Sequence, residues 1–556
     1  MATRVRTAQG ITLILLLAAA ASSARAQIRF EDVAGKSGLK FELRNGAKGE
    51  FHQPELMLGG VAALDYNNDG CMDIFFTNGA EMPSLKKTGP QYFNRLFRNN
   101  CDGTFTDVTE KAGVAGEGYS MGVAVGDYDN DGYPDIFVAG VNRNILYHNR
   151  GDGTFEDVTS KAHLSGIDPK DGKLWSVAAA WVDVDNDGWL DLVVSNYVQW
   201  DPKVEPACGT PKHPLYCHPD AYHDTHDQLF RNNHDGTFTD ITASSGLGEQ
   251  FGKGMGVAIA DYDGDGLMDI FVANDSMPNF LFHNLGHGKF EEVGMLAGVA
   301  LDDNGRPVAS MGADFRDFDN DGRPDLLLTA MINDTYPLFR NTGKSPVFED
   351  DTAHSGLAVE TRALTGWGLG LYDFDNDGFK DAFTANAHFP GLEESLGTAV
   401  DLPNSVFRNT GHGGFEDVSK NAGADFRLAG QYRGVAFADF NNDGRVDAVV
   451  SNGNGLARLF LNVTANPGHW LALKLTGTHS NRDGIGAEVE VTLASGRKLY
   501  NHCTTSVGYA SSSEPLVRFG LGKEAAAASI KIRWPSGRVQ ELKDVKADQI
   551  VKVREP

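Results

Sequence analysis

The sequence lacks the motifs of the common metalloprotease, nucleotide and haem sites: it holds no H-E-x-x-H pair, no phosphate-binding P-loop and no C-x-x-C-H. It is short of positive charge, with 49 Lys and Arg against 75 Asp and Glu and a net charge of −26. That balance argues against nucleic acid and anionic membrane surfaces as partners. Only one long apolar run occurs, ITLILLLAAAA, preceded by Arg4 and Arg6 and followed by the small-x-small triplet Ala24-Arg25-Ala26. It is too short to span a bilayer and reads as a signal peptide over residues 1–26. With no second such run, no integral membrane segment is expected in the mature chain. No cysteine precedes Cys71, so no lipid-anchor cysteine lies near the cut. The mature protein is expected to be exported, secreted into an extracellular or periplasmic space.

Cysteine is scarce, with five in the chain. Cys208 and Cys217 lie close in one loop and are expected to bridge. Cys71 and Cys101 flank the first repeat and are candidates for a second bridge, leaving Cys503 over. Export permits disulfides, while spacing alone leaves the connectivity open.

What the sequence has in quantity is aspartate at fixed spacing. A nine-residue loop recurs seven times, with Asp or Asn at positions 1, 3 and 5, Gly at 6 and Asp at 9. The first loop places Asp65, Asn67, Asp69 and Asp73; the second Asp127, Asp129, Asp131 and Asp135; the third Asp183, Asp185, Asp187 and Asp191. The fourth places Asp261, Asp263, Asp265 and Asp269; the fifth Asp317, Asp319, Asp321 and Asp325; the sixth Asp373, Asp375, Asp377 and Asp381. The seventh places Asp439, Asn441, Asp443 and Asp447. This is oxygen-ligand spacing for calcium, up to seven ions, with Gly at 6 turning the chain. Position 7 varies freely (Cys71, Tyr133, Trp189, Leu267, Arg323, Phe379, Arg445), as a backbone-carbonyl ligand allows. The loops are not EF-hands: position 12 of the second is Val138, and an apolar β-branched run follows each loop in place of a helix. Metal-free Asx-rich turns would account for Asp and Gly, but not for the fixed Asp at position 9.

Two further segments keep phase with the loops. One is F-x-D-V-like, from FEDV at Phe30 to FEDV at Phe415; the other is LFRN-like, from Leu96 to Leu459. Each unit thus offers four short strands, and seven units predict an all-β fold, a seven-bladed propeller over residues 27–462. Five residues before each loop stands Gly or Ala, and three before it Ala or Gly except for Asp314. Those small residues share one face of a strand converging on the propeller axis, with Asp314 facing the channel. The last unit lacks its F-x-D-V strand, while an orphan copy, IRFEDV, begins at Ile28. The N-terminal strand is therefore expected to close the last blade.

From Thr464 the aspartate loops stop, and alternating strands (WLALKLTG, AEVEVTL, KLYNHCTT, LVRFGLG, IKIRWPSG, VQELKDV) predict a small, separate all-β domain over 463–556. The D-x-D-x-D-G-x-x-D loops resemble the FG-GAP, or VCBS, repeats of integrin α-chain propellers. The stretches NRDGIGAEVEV, SVGYASSSEPLVRFGLG and IRWPSGRVQEL resemble the ASPIC/UnbV domain. Together they resemble the cartilage acidic protein family and its bacterial relatives. The resemblance implies an exported calcium-binding propeller acting as an adhesion or interaction module, and supplies no ligand.

Segment CGTPKHPLYCHPDAYHDTHDQ holds His213, His218, His223 and His226 with Asp220, Asp224 and Asp227. His223 and His226 have usable spacing for a second metal, against which stands a disulfide-pinned loop of solvated histidines. The aspartate loops should lie on one face of the propeller. The long loops 79–93, 198–226, 298–310 and 386–403 should lie on the other, where binding concentrates. Tyr119, Trp175, Lys253, Arg362, Trp367, Tyr432 and Arg433 are candidate contacts at the channel mouth. The leading expectation is a module binding an extracellular protein or glycan. The alternatives are a secreted enzyme acting on polysaccharide or small metabolites at that mouth, and a purely structural matrix component.

Overall fold

The computed structural model of the protein describes residues 26–168, 172–344, 347–391 and 397–556, so the signal peptide, save its last residue, lies outside the described residues. Within them the chain is all-β. Its α-helices are single turns of four residues, and no helix is long and apolar enough to cross a membrane.

Seven four-stranded antiparallel sheets carry the repeats. Blade one is Val61–Leu64, Asp73–Phe76, Arg95–Asn99 and Phe105–Asp107. Blades two to six begin with Tyr119–Gly126, Ser176–Val182, Gly254–Ala260, Ser310–Arg316 and Gly366–Tyr372. Blade seven takes Tyr432–Ala438, Asp447–Asn452 and Arg458–Asn462 from the end of the array and Phe30–Asp32 from the N-terminus. Phe30 pairs with Asn462 and Asp32 with Phe460, the closure that the orphan strand predicts. First strands touch their neighbours in a closed cycle, Val61–Leu64 meeting both Tyr119–Gly126 and Tyr432–Ala438. This is the arrangement of a β-propeller. The approach between first strands is close enough to require glycine: a Cβ on Gly122 would stand 2.1 Å from Val177 O.

Each fourth strand runs into a turn fixed by its own motif. Asp107 Oδ1 accepts from Thr109 N at 3.0 Å and from Thr109 Oγ1 at 2.6 Å, while Thr109 Oγ1 accepts from Leu96 N at 3.0 Å. Thr159 and Thr242 repeat the pattern in the next two blades.

The C-terminal region forms a three-stranded and a four-stranded sheet. All six expected strands are present. A seventh, Gln549–Arg554, pairs in parallel with His469–Thr476. The region packs against the propeller. Its apolar core is continuous with that of blades two and three, and it packs over the aspartate-loop face: Asp127 N donates to Asp483 Oδ2 at 2.8 Å, and Lys380 Nζ to Tyr500 O at 2.8 Å.

One of its connections, Thr505–Glu514, enters the ring. Ser512 N donates to Val61 O (3.1 Å) and Ala63 N to Ser512 O (3.0 Å) in blade one. Val123 N of blade two donates to Ala510 O (3.1 Å), and Ser506 Oγ to Val257 O (2.7 Å) of blade four. Gly508 N donates to Ala313 O (2.8 Å) of blade five and Glu514 N to Phe437 O (3.1 Å) of blade seven. The propeller axis is therefore plugged by the chain itself. Asp314 does not face an open channel, as had been expected: it is buried, accepts from Leu371 N at 2.8 Å and pairs with Arg316 at 3.4 Å.

Candidate metal centres and the opposite mouth

The seven loops share one hydrogen-bond plan. In loop two, Asp127 accepts from the N–H groups of Asp131 (3.0 Å) and Gly132 (2.7 Å), and Asp131 Oδ1 accepts from Tyr133 N (2.8 Å). Asp135 accepts from Tyr128 N (3.2 Å) and from Asn149 N (2.8 Å) at the end of the LFRN-like strand. The position-9 aspartate therefore has a role in tying loop to strand even without a cation, one that its spacing in the sequence does not reveal. Ligand oxygens of Asp127, Asp129 and Asp135 fall within 4.8 Å of one another, as do those of Asp183, Asp185 and Asp191. Asp185 Oδ1 is buried without a hydrogen-bond partner. An all-oxygen donor set of this density fits a hard divalent cation.

The electrostatics favour the same group. Burial pushes the carboxyl of Asp73 up to about 8 and those of Asp135, Asp183, Asp269 and Asp317 up to about 7. Burial, then the facing Asp483 carboxylate, pushes Asp127 up to about 9. Asp191, Asp325, Asp373, Asp381 and Asp447 are also raised well above the usual range by burial. Buried carboxylates without a cation resist ionising; a divalent ion among them reverses that.

Several residues of these centres had escaped the sequence reading. His148 and His283 replace the arginine of LFRN in blades two and four, and join the carboxylate clusters: His148 Nδ1 lies 3.2 Å from Asp129 and 3.3 Å from Asp135. The C-terminal domain sets cations against position-1 aspartates, Arg533 against Asp261 (2.5 Å), Arg518 against Asp439 (3.8 Å) and Lys474 against Asp65 (3.9 Å). Position-4 asparagines chain the loops together: Asn68 Nδ2 donates to Gly132 O (2.8 Å), Asn130 to Gly188 O (3.0 Å) and Asn442 to Gly70 O (3.3 Å). Their left-handed backbone, φ 56° at Asn68, is one that Asn tolerates.

Both expected disulfides are present, Cys71–Cys101 with Cα atoms 5.8 Å apart and Cys208–Cys217 at 5.2 Å, and Cys503 is free and buried. In the His-rich loop, His213, His218 and His223 are exposed. His226 is buried, with Nε2 3.4 Å from Asp168. The loop is pinned by Glu205, whose carboxylate accepts from Trp200 Nε1 and Tyr222 Oη and lies 3.1 Å from His52 Nδ1.

The channel-mouth contacts are mostly not available. Tyr119, Trp175, Lys253, Trp367, Tyr432 and Arg433 are buried, and only Arg362 is exposed. Arg433 stacks on Trp367 at 4.0 Å, and Tyr509 of the plug packs 5.2 Å from the same ring. Above the plug a cavity of about 230 Å³ remains, lined by Met57, Tyr197, Met255, Asp275, Met331 and Phe389 among others.

Parts of the chain match known families and proteins. The ASPIC and UnbV family matches residues 477–556, and the FG-GAP-like repeat matches 65–138, 127–194, 221–272, 261–328, 317–384 and 373–450. Cartilage acidic protein 1 of Mus musculus is 25% identical over 509 residues, covering 86% of this chain and 71% of that protein. The Homo sapiens protein is 29% identical over 307 residues, covering 54% of this chain and 43% of its own length. An Agrocybe aegerita lectin, whose structure concerns recognition of non-reducing terminal N-acetylglucosamine, is 16% identical with a TM-score of 0.39, covering 72% of this chain and 86% of the lectin. With the repeats matched from residue 65 to 450 and the terminal domain to 556, the chain belongs to the FG-GAP-like repeat family, carries an ASPIC and UnbV domain, and is homologous to cartilage acidic protein 1.

Proposed function

We propose that the chain is an exported calcium-loaded propeller that binds an extracellular protein or glycan through the face opposite its aspartate loops. The observation that carries this is the division of the two faces. The C-terminal domain covers the aspartate-loop face, with Arg533, Arg518 and Lys474 against its carboxylates. The other face keeps its long loops and a cavity of about 230 Å³. Homology to cartilage acidic protein 1 and two disulfides support an extracellular setting, where calcium is abundant enough for weak sites. The axial channel that a secreted enzyme would use is occupied by Thr505–Glu514.

A screen against secreted proteins and glycans, run in millimolar calcium and again in chelator, tests the reading. Leu215, 45% exposed beside the cavity, marks the free face. The retained partner should be lost in chelator and weakened by Leu215→Glu. A partner indifferent to both would overturn the assignment of face and of calcium dependence.

A further inference from the structure

The cavity over the plug has a polarity that the aspartate loops and the family do not explain. Its volume, about 230 Å³, is that of roughly seven or eight waters and below the usual range for whole small-molecule sites. It is the size for one side-chain-like group. Met57, Met255, Met331 and Phe389 supply an apolar, polarisable wall. Against that wall stands Asp275, 7% exposed.

Asp275 accepts from Tyr197 Oη at 2.7 Å and from Ser276 Oγ at 2.9 Å, both neutral donors. Among the described residues no lysine or arginine lies within ion-pair distance of it. Lys253, whose carbonyl accepts from Asp275 N at 2.9 Å, sends its ammonium group to Asp220 at 3.1 Å instead. Gln53 also lines the cavity, and its Oε1 is buried without a partner. A carboxylate taken out of water is retained at a cost unless a cation or several donors satisfy it. Burial raises the Asp275 carboxyl above its usual range, and the hydroxyl bonds of Tyr197 and Ser276, then the more distant Lys253 and His218, only partly oppose this.

We propose that this cavity receives an alkylammonium or guanidinium group, with its apolar stem on the methionine and Phe389 wall and its head on Asp275. The net charge of −26 steers such a group to the protein. The same chemistry is offered by a free organic amine and by a Lys or Arg side chain of a protein partner. The inference rests on the reading that this face binds partners.

Calorimetric titration of the full chain in calcium tests it directly. The probes are n-butylammonium, n-butylguanidinium, neutral n-butanol and a short peptide with one Lys or, as control, Gln. The cationic probes should bind, and butanol should bind at least about tenfold more weakly. Asp275→Asn should cost the cations at least about tenfold and leave butanol unchanged. A peptide much tighter than butylammonium identifies the source as a partner's side chain; equal affinities identify a free amine. Should Asp275→Asn not fold, Met331→Trp, which fills the cavity from its rim, decides by abolishing binding. Equal binding of butanol and butylammonium, cation binding unchanged in either variant, or no cation binding at about 10 mM overturns the inference. If these probes fail while a screened partner still depends on Leu215, the broader reading of the free face survives without this one.

Discussion

Asn99 Nδ2 donates to Phe440 O across 2.8 Å, and so joins blade one to blade seven. Every blade repeats the bond: Asn149 reaches Tyr66 O, Asn232 Tyr128 O, Asn284 Val184 O, Asn341 Tyr262 O, Asn409 Phe318 O and Asn462 Phe374 O. In each case the last residue of an LFRN-like strand holds position 2 of the preceding blade's aspartate loop. Asn99 also donates to Met72 O (3.1 Å) and accepts from Cys101 N (3.0 Å), all while 1% exposed. Asn99→Ala strands these partners in a dry interface and should cost about 3 kcal/mol in denaturant unfolding. A loss under about 1 kcal/mol would show that the bond is not what ties the ring.

The blades and their closure were legible because each rests on a short-range signal that repeats. Asp at positions 1 and 9, Gly at 6, the small residues before each loop and the orphan strand at Ile28 all report local geometry. The LFRN asparagine and the position-4 asparagine were equally visible, yet their partners lie one blade away, so their purpose was not. The plug was hidden for a different reason. SVGYASSSE is composed like a surface turn, and its polar groups find their partners on five separate blades. Nothing local distinguishes that from solvent. The buried mouth residues Trp367 and Arg433 were misplaced because the plug that covers them could not be foreseen.

The plug makes its own prediction. Gly508 has φ +77°, and a Cβ there would stand 2.5 Å from Leu369 O of blade six; Gly496 has φ +87° in open space. Both positions disfavour L-residues by roughly 1–2 kcal/mol. Gly496→Ala should cost about that. Gly508→Ala should cost clearly more, since the clash is with backbone, and should lower the melting temperature of propeller and C-terminal domain in one transition. Equal losses in the two variants would place residue 508 outside the ring.

His502 sits at the foot of the plug, its Nε2 3.2 Å from Ile259 O. Burial, then the Arg316 charge, depresses it to about 3. A histidine whose folded pKa is lowered contributes stability above its unfolded pKa of about 6.5, lost as pH falls toward 3. At pH 5 the loss is on the order of 2 kcal/mol relative to pH 8. His502→Gln removes this titration, so the stability gap between wild type and variant should narrow as pH drops from 8 to 5. A constant gap would mean that the ring titrates normally.

Calcium removal is the sharpest test of the loops. If free calcium is near ten times the dissociation constant, each site adds about 1.4 kcal/mol to folding, and seven independent sites on the order of 10 kcal/mol. That is comparable to the whole stability of a typical domain. Chelation should therefore lower the melting temperature steeply, and replacing Asp127, Asp129 and Asp131 with Ala should remove one site's share. The sign of the pH dependence follows from the same carboxyls. Their folded pKa values are raised by burial, Asp73 to about 8 and Asp127 to about 9. In chelator these groups lend stability at low pH that is lost as pH rises from about 4 toward 9. In calcium, protons compete with the ion, so the calcium-induced shift should be largest at pH 8 and shrink toward pH 5. A melting temperature identical in chelator and millimolar calcium at pH 8 would falsify the assignment of these loops as calcium sites. The position-9 aspartates would then serve only the hydrogen bonds that they accept from Tyr128 and Asn149 and from the equivalents of these two residues in the other blades.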